Sequence, residues 1–271
     1  MTIQQHNTEE YDDPTLYDKE NNLYTEDIPF LQKYASKAKG TILDIACGTG
    51  RATIPLAKSG HKIVGVDSHK GMLNEATKKA NKLDLPIDWI QQDCTKLDLN
   101  FKTDFVFSVG NSFQHFLKNE DQDRLLSSVN RHLLQGGIFI FDTRFPSVEE
   151  LLQPETEEFW HTYIDSETQY KVDVSTIAKY DALNQLQYYT TIRKYKDETN
   201  HIVNEVRTNV TLRYVYPKEM ERLLANHGFE VLQIYQDWQE NPITNNSYSM
   251  NYVCKKVSES YNDDSILSIV K

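Results

Sequence analysis

The chain has few cysteines and no long apolar run, and each shortage excludes a class of protein. Its three cysteines, Cys47, Cys94 and Cys254, are scattered and odd in number, which disfavours a disulfide framework or a zinc site. No run of about eighteen apolar residues occurs, and the chain does not begin with a basic segment followed by an apolar one. We therefore expect no membrane partner and no secretory signal, and a reducing cytoplasm as the location.

Positive charge is also scarce, because 29 lysines and arginines face 40 acids and the formal net charge is −11. Nucleic-acid binding draws most of its affinity from neutralised phosphates, and no basic block occurs in this chain. We expect no nucleic-acid partner. Internal repeats are absent as well, and 271 residues suffice for one large domain or one domain with an insertion.

The most informative stretch is an apolar run, 41–45, that leads directly into the turn Ala46-Cys47-Gly48-Thr49-Gly50. Such a run predicts a buried parallel strand, and the glycines let the backbone bend sharply and approach a ligand. A helical segment follows, Gly60 ends it, and a second apolar run closes on Asp67. This is the order of a nucleoside-binding βαβ unit, whose final acid bonds ribose hydroxyls.

One feature separates this unit from a dinucleotide site. The third small residue of that pattern is missing, because Thr53 stands three positions after the second glycine. Instead, Leu43-Asp44-Ile45-Ala46-Cys47-Gly48-Thr49-Gly50 resembles the first motif of class I S-adenosylmethionine-dependent methyltransferases. That motif is an acid, any residue, Ala or Gly, Cys or Gly, and then Gly-Thr-Gly. A nicotinamide-dependent oxidoreductase shares the βαβ pattern and remains an alternative.

Later segments extend the resemblance in the family's order and spacing, from about residue 41 to 144. They are the second motif at 63–73, the third strand with its acid at 87–94, the fourth strand at 101–108, and the Gly-Gly turn into the fifth strand at 133–142. The resemblance implies S-adenosylmethionine as the cofactor. It implies these contact residues: Asp44, Ala46, Cys47, Gly48, Gly50, Asp67, Ser68, Met72, Asp93, Cys94 and Ser108.

The resemblance also implies roles for four of these residues. Asp67 would bond the ribose, Asp93 the adenine amino group, and Met72 would lie against the adenine. Asp44 would help to hold the glycine loop near the methionine amino group. The residues have simpler interpretations too: Asp67 as a solvated strand-end acid, Asp93 as a helix cap and Met72 as core. Asp44 needs a partner if it is buried.

The predicted fold is α/β, with a Rossmann-like sheet of seven mostly parallel strands, helices on both faces, and a small antiparallel sheet inserted after strand five. The predicted segments are an N-terminal helical cover at 1–38, the cofactor-binding core at 39–150, the inserted sheet on the acceptor side at 151–216, the end of the core sheet at 217–257 and a tail at 258–271. Within the inserted segment we expect strands at 171–180, 185–195 and 208–216.

The cover is rich in tyrosine and aliphatic residues on helical segments that we expect Pro14 and Pro29 to interrupt. In related methyltransferases such a segment closes over the cofactor, and a tyrosine often reaches its methionine end. Tyr17 and Tyr24 are therefore cofactor candidates, although either could simply pack the cover onto the sheet. In the tail, Ile266, Leu267, Ile269 and Val270 could form a short docking segment.

The acceptor should bind beyond the carboxyl ends of strands four and five. The sequence Gly110-Asn111-Ser112-Phe113-x-His115 and the later Asp142-x-Arg144 resemble segments of glycine and sarcosine N-methyltransferases, in which the arginine binds the acceptor's carboxylate. Asn111 could orient an attacking amine, His115 could take a proton and Arg144 could hold a carboxylate. Alternatively, Arg144 pairs with an acid of the chain, His115 is structural and Asn111 caps the segment after strand four.

We therefore expect methyl transfer to a nitrogen, or as a weaker expectation an oxygen, of a small-molecule acceptor. In-line displacement at a sulfonium needs neither a metal nor a covalent nucleophile. A nucleic-acid methyltransferase is disfavoured by charge, and because strand four lacks an Asn or Asp-Pro-Pro-aromatic stretch. A non-catalytic cofactor-binding protein of the same fold is a further alternative. No pattern in the sequence sets an oligomeric state.

Overall fold

A computed structural model describes residues 7–260, which form two β-sheets with helices around them. The helices are α1 Pro14–Asn21, α2 Asp27–Ala35, α3 Thr53–Lys58, α4 Lys70–Asn81, α5 Asn119–His132, α6 Val148–Leu151 and α7 Pro217–Asn226. The strands are β1 Ile42–Ile45, β2 Ile63–Asp67, β3 Asp88–Gln91, β4 Thr103–Ser108, β5 Leu133–Arg144, β6 Glu158–Ile164, β7 Lys171–Asp181, β8 Leu186–Lys196, β9 Ile202–Arg213, β10 Phe229–Tyr235 and β11 Ser249–Lys256. Short 3₁₀ turns lie at Glu9–Tyr11, Cys94–Lys96 and Ser112–His115.

The larger sheet has seven strands in the order β10-β11-β5-β4-β1-β2-β3. The pairs among β1 to β5 are parallel, and β11 runs antiparallel to both of its neighbours, β5 and β10. This mostly parallel, Rossmann-like sheet confirms the predicted fold class. It differs from the usual dinucleotide-binding order 3-2-1-4-5-6, which contains no reversed strand between the fifth and sixth.

Helices cover both faces of this sheet because successive side chains of each strand point to opposite sides. On β4, Val106 points into a core shared with α5 and α7, whereas Phe105 and Phe107 point into a second core shared with α2 and α3. All four residues of β1 are buried, which explains why that strand is apolar except for Asp44. The sheet is therefore a rigid base, and its carboxyl edge remains available for a site.

The inserted sheet is antiparallel, in the order β6-β7-β8-β9, and it confirms the predicted insertion after strand five. It has four strands rather than the three we expected, because β6 was missed. Most of β6 is exposed, so it lacks the alternation of apolar and polar residues by which strands are recognised. β9 begins at Ile202, six residues before the expected Thr208, because its first residues are mostly exposed and do not alternate regularly between apolar and polar.

The N-terminal cover contains two helices. α1 begins at Pro14, and the Asp13 carboxylate caps it by accepting from the backbone N–H groups of Thr15 and Leu16, each at 3.0 Å. The expectation that Pro29 interrupts a helix was wrong, because Pro29 is the third residue of α2. In the first turn a proline gives up an N–H that has no partner within the helix. The docking segment expected in the tail lies outside the described residues.

Buried ion pairs attach the cover to the inserted sheet. The guanidinium of Arg193 on β8 donates to both carboxylate oxygens of Glu20, each at 2.7 Å, to Glu10 at 3.0 Å, and to the hydroxyl of Thr208 at 2.7 Å. Only 4% of the Arg193 side chain and 6% of the Glu20 side chain are exposed. The cover is thus held against the inserted sheet by a charge that is almost completely desolvated.

A second set of contacts attaches the cover to the larger sheet. The Asp18 carboxylate on α1 accepts from the Thr49 hydroxyl in the glycine turn and from the Lys79 ammonium on α4 at 2.7 Å. Arg51 makes a two-pronged pair with the buried Asp27 at 2.8 and 2.6 Å. The cover therefore bridges both sheets at the carboxyl edge of the parallel strands.

Neither a membrane-spanning helix nor a metal-ligand group occurs among the described residues. Within 7–260, no helix combines the length and the apolar character that crossing a membrane requires. In the same part of the chain, no three His, Cys, Asp or Glu side chains are grouped as a metal site would need.

Candidate active site

The glycine turn after β1 reverses the chain tightly. Ala46, Gly48 and Gly50 all have positive φ, at 54°, 56° and 78°. At Gly50 a Cβ atom would lie 2.6 Å from the ring of Trp89, so both the backbone conformation and the packing require glycine there. The turn therefore presents backbone rather than side chains at the carboxyl end of β1.

Asp67 at the end of β2 holds this turn in place. Its Oδ2 accepts from the Gly48 N–H at 2.8 Å, and its Oδ1 accepts from the His69 N–H at 2.7 Å. The residue is 9% exposed, and burial raises the pKa of its carboxyl. Each oxygen retains a second lone pair with which a ligand hydroxyl could bond.

Asp44 lies one layer deeper. It is 2% exposed, and its Oδ2 accepts from the Thr53 hydroxyl at 2.5 Å. Burial raises the pKa of this carboxyl to about 8. Asp44 therefore fixes the start of α3 behind the glycine turn, while Asp67 bonds the turn itself. Thr53, whose size argued against a dinucleotide, is the partner that the buried acid needs.

A cavity of about 1330 Å³ opens at the carboxyl edge of the sheet, between the larger sheet, the cover and the inserted sheet. Nine of the candidates line it: Tyr17, Ala46, Gly48, Asp67, Ser68, Met72, Asp93, Cys94 and His115. Seven candidates are not among the lining residues: Tyr24, Asp44, Cys47, Gly50, Ser108, Asn111 and Arg144. The structure thus brings residues of the first three motifs to one wall.

At the far end of this wall, Asp93 also has a structural role. Its Oδ1 accepts from the backbone N–H and the hydroxyl of Thr95, at 2.9 and 2.8 Å, so it caps the turn that begins at Cys94. Met72 is 2% exposed and forms an apolar part of the same wall. Capping and lining are compatible for Asp93, because a carboxylate oxygen can accept more than one hydrogen bond.

The three cysteines are free and buried. Burial raises the pKa of the Cys94 thiol to about 12 and also raises that of Cys47. Thiols in this state are protonated at neutral pH and are poor nucleophiles. Cys47 and Cys94 therefore contribute small, uncharged surface to the glycine turn and the cavity wall.

The cavity roof combines the cover with the segment after β4. The Tyr11 hydroxyl and the His115 Nε2 lie 2.8 Å apart, and the Tyr11 and Tyr17 rings are 5.6 Å apart. Burial, and then the charge of Arg144, lower the pKa of His115 to about 4, so its imidazole is neutral at physiological pH. Tyr11 was missed as a site residue, because its partner His115 stands 104 positions away and nothing local separates Tyr11 from the other tyrosines.

Tyr24 occupies a different position. It is 45% exposed, its ring lies 5.3 Å from the guanidinium carbon of Arg51, and its carbonyl accepts from Arg51 at 2.9 Å. It covers the outer side of the Arg51–Asp27 pair. Contact of Tyr24 with a cofactor therefore stays a prediction.

The segment after β4 is held against β5. Asn111 adopts a left-handed conformation with φ of 59°, and its N–H donates to the Oδ1 of Asp142 at 3.0 Å. Asn111 begins the 3₁₀ turn that ends at His115, but its side chain makes no capping hydrogen bond. Asp142 is buried, and burial raises the pKa of its carboxyl to about 7.

Arg144 pairs with an acid of the chain. Its Nη1 donates to Glu150 at 3.2 Å and to the Tyr189 hydroxyl at 3.1 Å, and its guanidinium carbon lies 5.3 Å from the centre of the Tyr189 ring. Of the two roles expected for Arg144, this contact matches pairing with an acid of the chain. Neither Glu150 nor Tyr189 stood out in the sequence, since each lies in a separate element.

The part of the cavity beside the inserted sheet, where we expect the acceptor to bind, is called the acceptor end. It is lined by residues that sequence reasoning missed. They come from the segment after β4, the β7–β8 turn and the end of β9: Phe116, Leu117, Lys118, Asn119, Glu120, Asp121, Leu183, Asn184, Gln185, Leu186, Tyr188 and Arg213. Arg213 joins two of these parts by donating to the Leu117 carbonyl at 3.0 Å and to Gln185 at 3.2 Å. The available sequence signal was Leu183, an apolar residue within a polar turn, which is 91% exposed.

The chain is similar to known methyltransferases in sequence and in fold. Residues 42–137 match a family described as "Methyltransferase domain". The glycine/sarcosine N-methyltransferase of Aphanothece halophytica is 27% identical over 78% of this chain and 74% of its own length. Other relatives at 31–32% identity align over less than half of their own length.

Solved structures share the fold of nearly the whole chain. An S-adenosylmethionine-dependent methyltransferase from Clostridium acetobutylicum ATCC 824 has a TM-score of 0.75 at 22% identity, covering 90% of this chain and 97% of its own. A sugar N-methyltransferase from Streptoalloteichus sp. ATCC 53650 has a TM-score of 0.70 at 17% identity, covering 90% and 92%. Residues 42–137 therefore match a methyltransferase domain, the fold is shared with solved S-adenosylmethionine-dependent methyltransferases, and the sequence is partly similar to glycine and sarcosine N-methyltransferases.

Proposed function

We propose that the protein transfers the methyl group of S-adenosylmethionine to a nitrogen of a small molecule, with an oxygen acceptor as the weaker alternative. The observation that carries the proposal is a continuous cavity. Its wall runs from the glycine turn and Asp67, past Tyr17 and His115, to the tip of the inserted sheet. Donor and acceptor can therefore meet inside one cavity, with the inserted segment 151–216 forming the acceptor side.

The residues present fit S-adenosylmethionine. Gly48 offers backbone without a side chain, Asp67 offers carboxylate lone pairs for ribose hydroxyls, and Met72 offers an apolar surface for the adenine. Burial raises the pKa of the Asp44 carboxyl to about 8 and that of the Asp142 carboxyl to about 7. A cationic cofactor nearby would favour their ionised forms, whereas a dinucleotide pyrophosphate would be repelled.

Bound S-adenosylmethionine supplies an activated methyl group on a sulfonium. The protein must then hold an acceptor lone pair in line and exclude water. Tyr11 and Tyr17 close the roof, and the neutral His115 adds no positive charge that would repel the sulfonium or an approaching amine. The pairing of Tyr11 with His115 fixes the geometry of this roof.

A nitrogen acceptor is supported by the relatives whose names carry N-methyltransferase activity, including the glycine/sarcosine enzyme and the structurally similar sugar enzyme. A small acceptor is supported by the formal net charge of −11, which disfavours a nucleic-acid substrate, and by the cavity volume of about 1330 Å³. We also propose the cytoplasm as the location, in keeping with three free cysteines.

A metabolite screen tests the proposal. The protein is incubated with methyl-labelled S-adenosylmethionine and a small-molecule extract, and labelled products are sought by mass spectrometry. We expect a labelled amine whose formation is strongly reduced by Asp67→Asn but not by Asp88→Asn, the same change at an exposed residue of the neighbouring strand β3. Bound cofactor without any labelled product from a broad extract would instead favour the non-catalytic alternative.

A further inference from the structure

Four side chains form a closed polar cluster where β5, α6 and the inserted sheet meet: Arg144, Glu150, Tyr189 and Tyr214. The Oε1 of Glu150 accepts from Arg144 at 3.2 Å, from the Tyr189 hydroxyl at 2.9 Å and from the Tyr214 hydroxyl. The two tyrosine hydroxyls lie 3.2 Å apart. One carboxylate oxygen of Glu150 thus accepts three hydrogen bonds. One of the three donors is the Arg144 guanidinium, with which a substrate carboxylate would have to pair.

The position of Glu150 is fixed on both sides. The hydroxyl of Ser147 caps α6 by accepting from the Glu150 N–H at 3.1 Å, and Gln153 donates to the other oxygen of Glu150 at 3.0 Å. Tyr214 is 0% exposed and Tyr189 is 8% exposed, so both hydroxyls are held by the packed sheet. Glu150 is therefore already positioned to pair with Arg144, and no conformational change is needed to form the pair.

The cluster lies near two residues that line the cavity, His115 and Tyr11. Burial and then the charge of Arg144 lower the pKa of His115, whereas burial raises the pKa of Tyr11 and the charge of Arg144 only partly offsets that rise. The side chain of Arg144 is 37% exposed, so its guanidinium is not sealed off by the cluster. Arg144 is thus a neighbour of the lining residues rather than one of them, and its charge is already balanced by Glu150.

Arg213 lines the cavity, and it, like Arg51 and Arg193 elsewhere in the cover contacts, faces a carboxylate of the chain. Arg51 pairs with Asp27 at 2.6 Å, Arg193 with Glu20 at 2.7 Å, and Arg213 with Glu219 at 3.6 Å. Lys118, which lines the mouth, is exposed and is followed closely by Glu120 and Asp121. Each of these positive charges is therefore either paired with a carboxylate or exposed to solvent.

We propose that the acceptor is an amine without an acidic group, and that Glu150 is a specificity-determining residue that excludes amino-acid acceptors by occupying Arg144. This inference rests on the proposed function and narrows its substrate class. A second carboxylate beside Glu150 would be repelled by it and would lose its hydration without gaining a free cation. The arginine contact inferred from glycine and sarcosine N-methyltransferases is therefore replaced by an internal one.

The size and surface of the acceptor end indicate what such an amine carries. Binding sites for single drug-sized ligands occupy about 300–1,000 Å³, so a cavity of about 1330 Å³ has room for an acceptor larger than glycine beside a cofactor. Phe116, Leu117, Leu186 and Tyr188 supply apolar surface there. A cationic or neutral amine on an apolar or ring-shaped body matches this lining.

Binding of glycine to the protein loaded with S-adenosylhomocysteine tests the proposal, with Glu150→Gln as the variant. This change keeps the side-chain size but removes the charge, which leaves Arg144 free to bind a carboxylate. We expect glycine affinity to rise about tenfold or more over wild type, the value of one charge-assisted hydrogen bond. Glu149→Gln, an exposed acid on the same helix, is the matched control and should leave glycine affinity unchanged.

The outcomes separate this proposal from the proposed function. A folded Glu150→Gln protein that binds S-adenosylhomocysteine without any gain for glycine overturns the role of Glu150. Faster methylation of glycine or serine than of methylamine or ethanolamine, their counterparts without a carboxylate, overturns the acceptor class. If Glu150→Gln does not fold, Glu150→Asp withdraws the carboxylate from Arg144 by one methylene and should show a smaller gain. Failure of wild type to bind S-adenosylhomocysteine counts against the proposed function itself.

Discussion

Replacing Arg193 by methionine should release the N-terminal cover from the inserted sheet. Methionine keeps much of the aliphatic length but leaves Glu10 and Glu20 without their cation, although their side chains are only 16% and 6% exposed. Removing one partner of a buried ion pair costs about 3–5 kcal/mol. Because Arg193 serves two carboxylates through three short hydrogen bonds, we expect the upper half of that range.

The cost should appear first in the cover, since Arg193 joins it to the inserted sheet. We expect faster amide hydrogen exchange in residues 7–38, weaker binding of S-adenosylhomocysteine, and a lower free energy of unfolding in denaturant. Arg207→Met is the control, because the Arg207–Glu205 pair on β9 is largely exposed and should contribute less than about 1 kcal/mol.

A triple variant separates charge from packing. Adding Glu10→Gln and Glu20→Gln to Arg193→Met removes the stranded charges and should recover a substantial part of the lost stability. Loss below about 1 kcal/mol in Arg193→Met, or no recovery in the triple variant, would refute the view that desolvated charge holds the cover in place.

Three further outcomes follow from the site. Gly50→Ala should lower the free energy of unfolding by about 2–4 kcal/mol, and Gly60→Ala by only about 1–2 kcal/mol. Both positions need a left-handed backbone, but only a Cβ at Gly50 would meet Trp89. Equal losses in denaturant unfolding would contradict this packing. His115 has a pKa of about 4 and should stay neutral, so the pH–rate profiles of wild type and His115→Gln should have the same shape between about pH 6 and 8. A step near pH 6.5 that is present in wild type and absent from the variant would contradict this. Burial raises the pKa of Asp142 from 3.8 to about 7, so its stabilising protonated form is lost as pH rises through that range. Asp142→Asn should flatten the resulting fall in unfolding free energy by up to about 1.4 kcal/mol per pH unit, and an unchanged slope in titrated denaturation curves would show that Asp142 is not its source.

The parts of the fold that could be predicted from the sequence are those whose signals are local. β1 is apolar except for Asp44 and leads into the glycine turn, and both of its faces are covered, so pattern and burial agree. β10 follows Gly228 and carries mostly apolar residues interrupted by Glu230 and Gln233. β6 escaped detection because it is an exposed edge strand whose neighbours on the sheet, not its own residues, define it. Pro29 was misjudged because proline disrupts a helix interior but is tolerated in the first turn, and the sequence does not mark where α2 begins.

The residues of the site also differ in whether local sequence signals could predict their contacts. The glycine turn and Asp67 belong to one βαβ unit, so their proximity follows from local order. The Tyr11–His115 contact and the Arg144–Glu150 pair depend on how the cover and the inserted sheet fold back over the core. Such contacts depend on tertiary packing, and that is why the partner of Arg144 had to be left open between a substrate and an acid of the chain.

Calorimetric titration with S-adenosylhomocysteine tests most directly the claim that this cavity is a sulfonium-nucleoside site. We expect one molecule to bind per chain with roughly micromolar affinity, and Asp67→Asn to weaken binding by about 10- to 100-fold through loss of charged hydrogen bonds to the ribose. Asp88→Asn, the same change at an exposed residue of β3, should have no effect. Absence of binding, or binding of NADH in preference to S-adenosylhomocysteine, would contradict the claim.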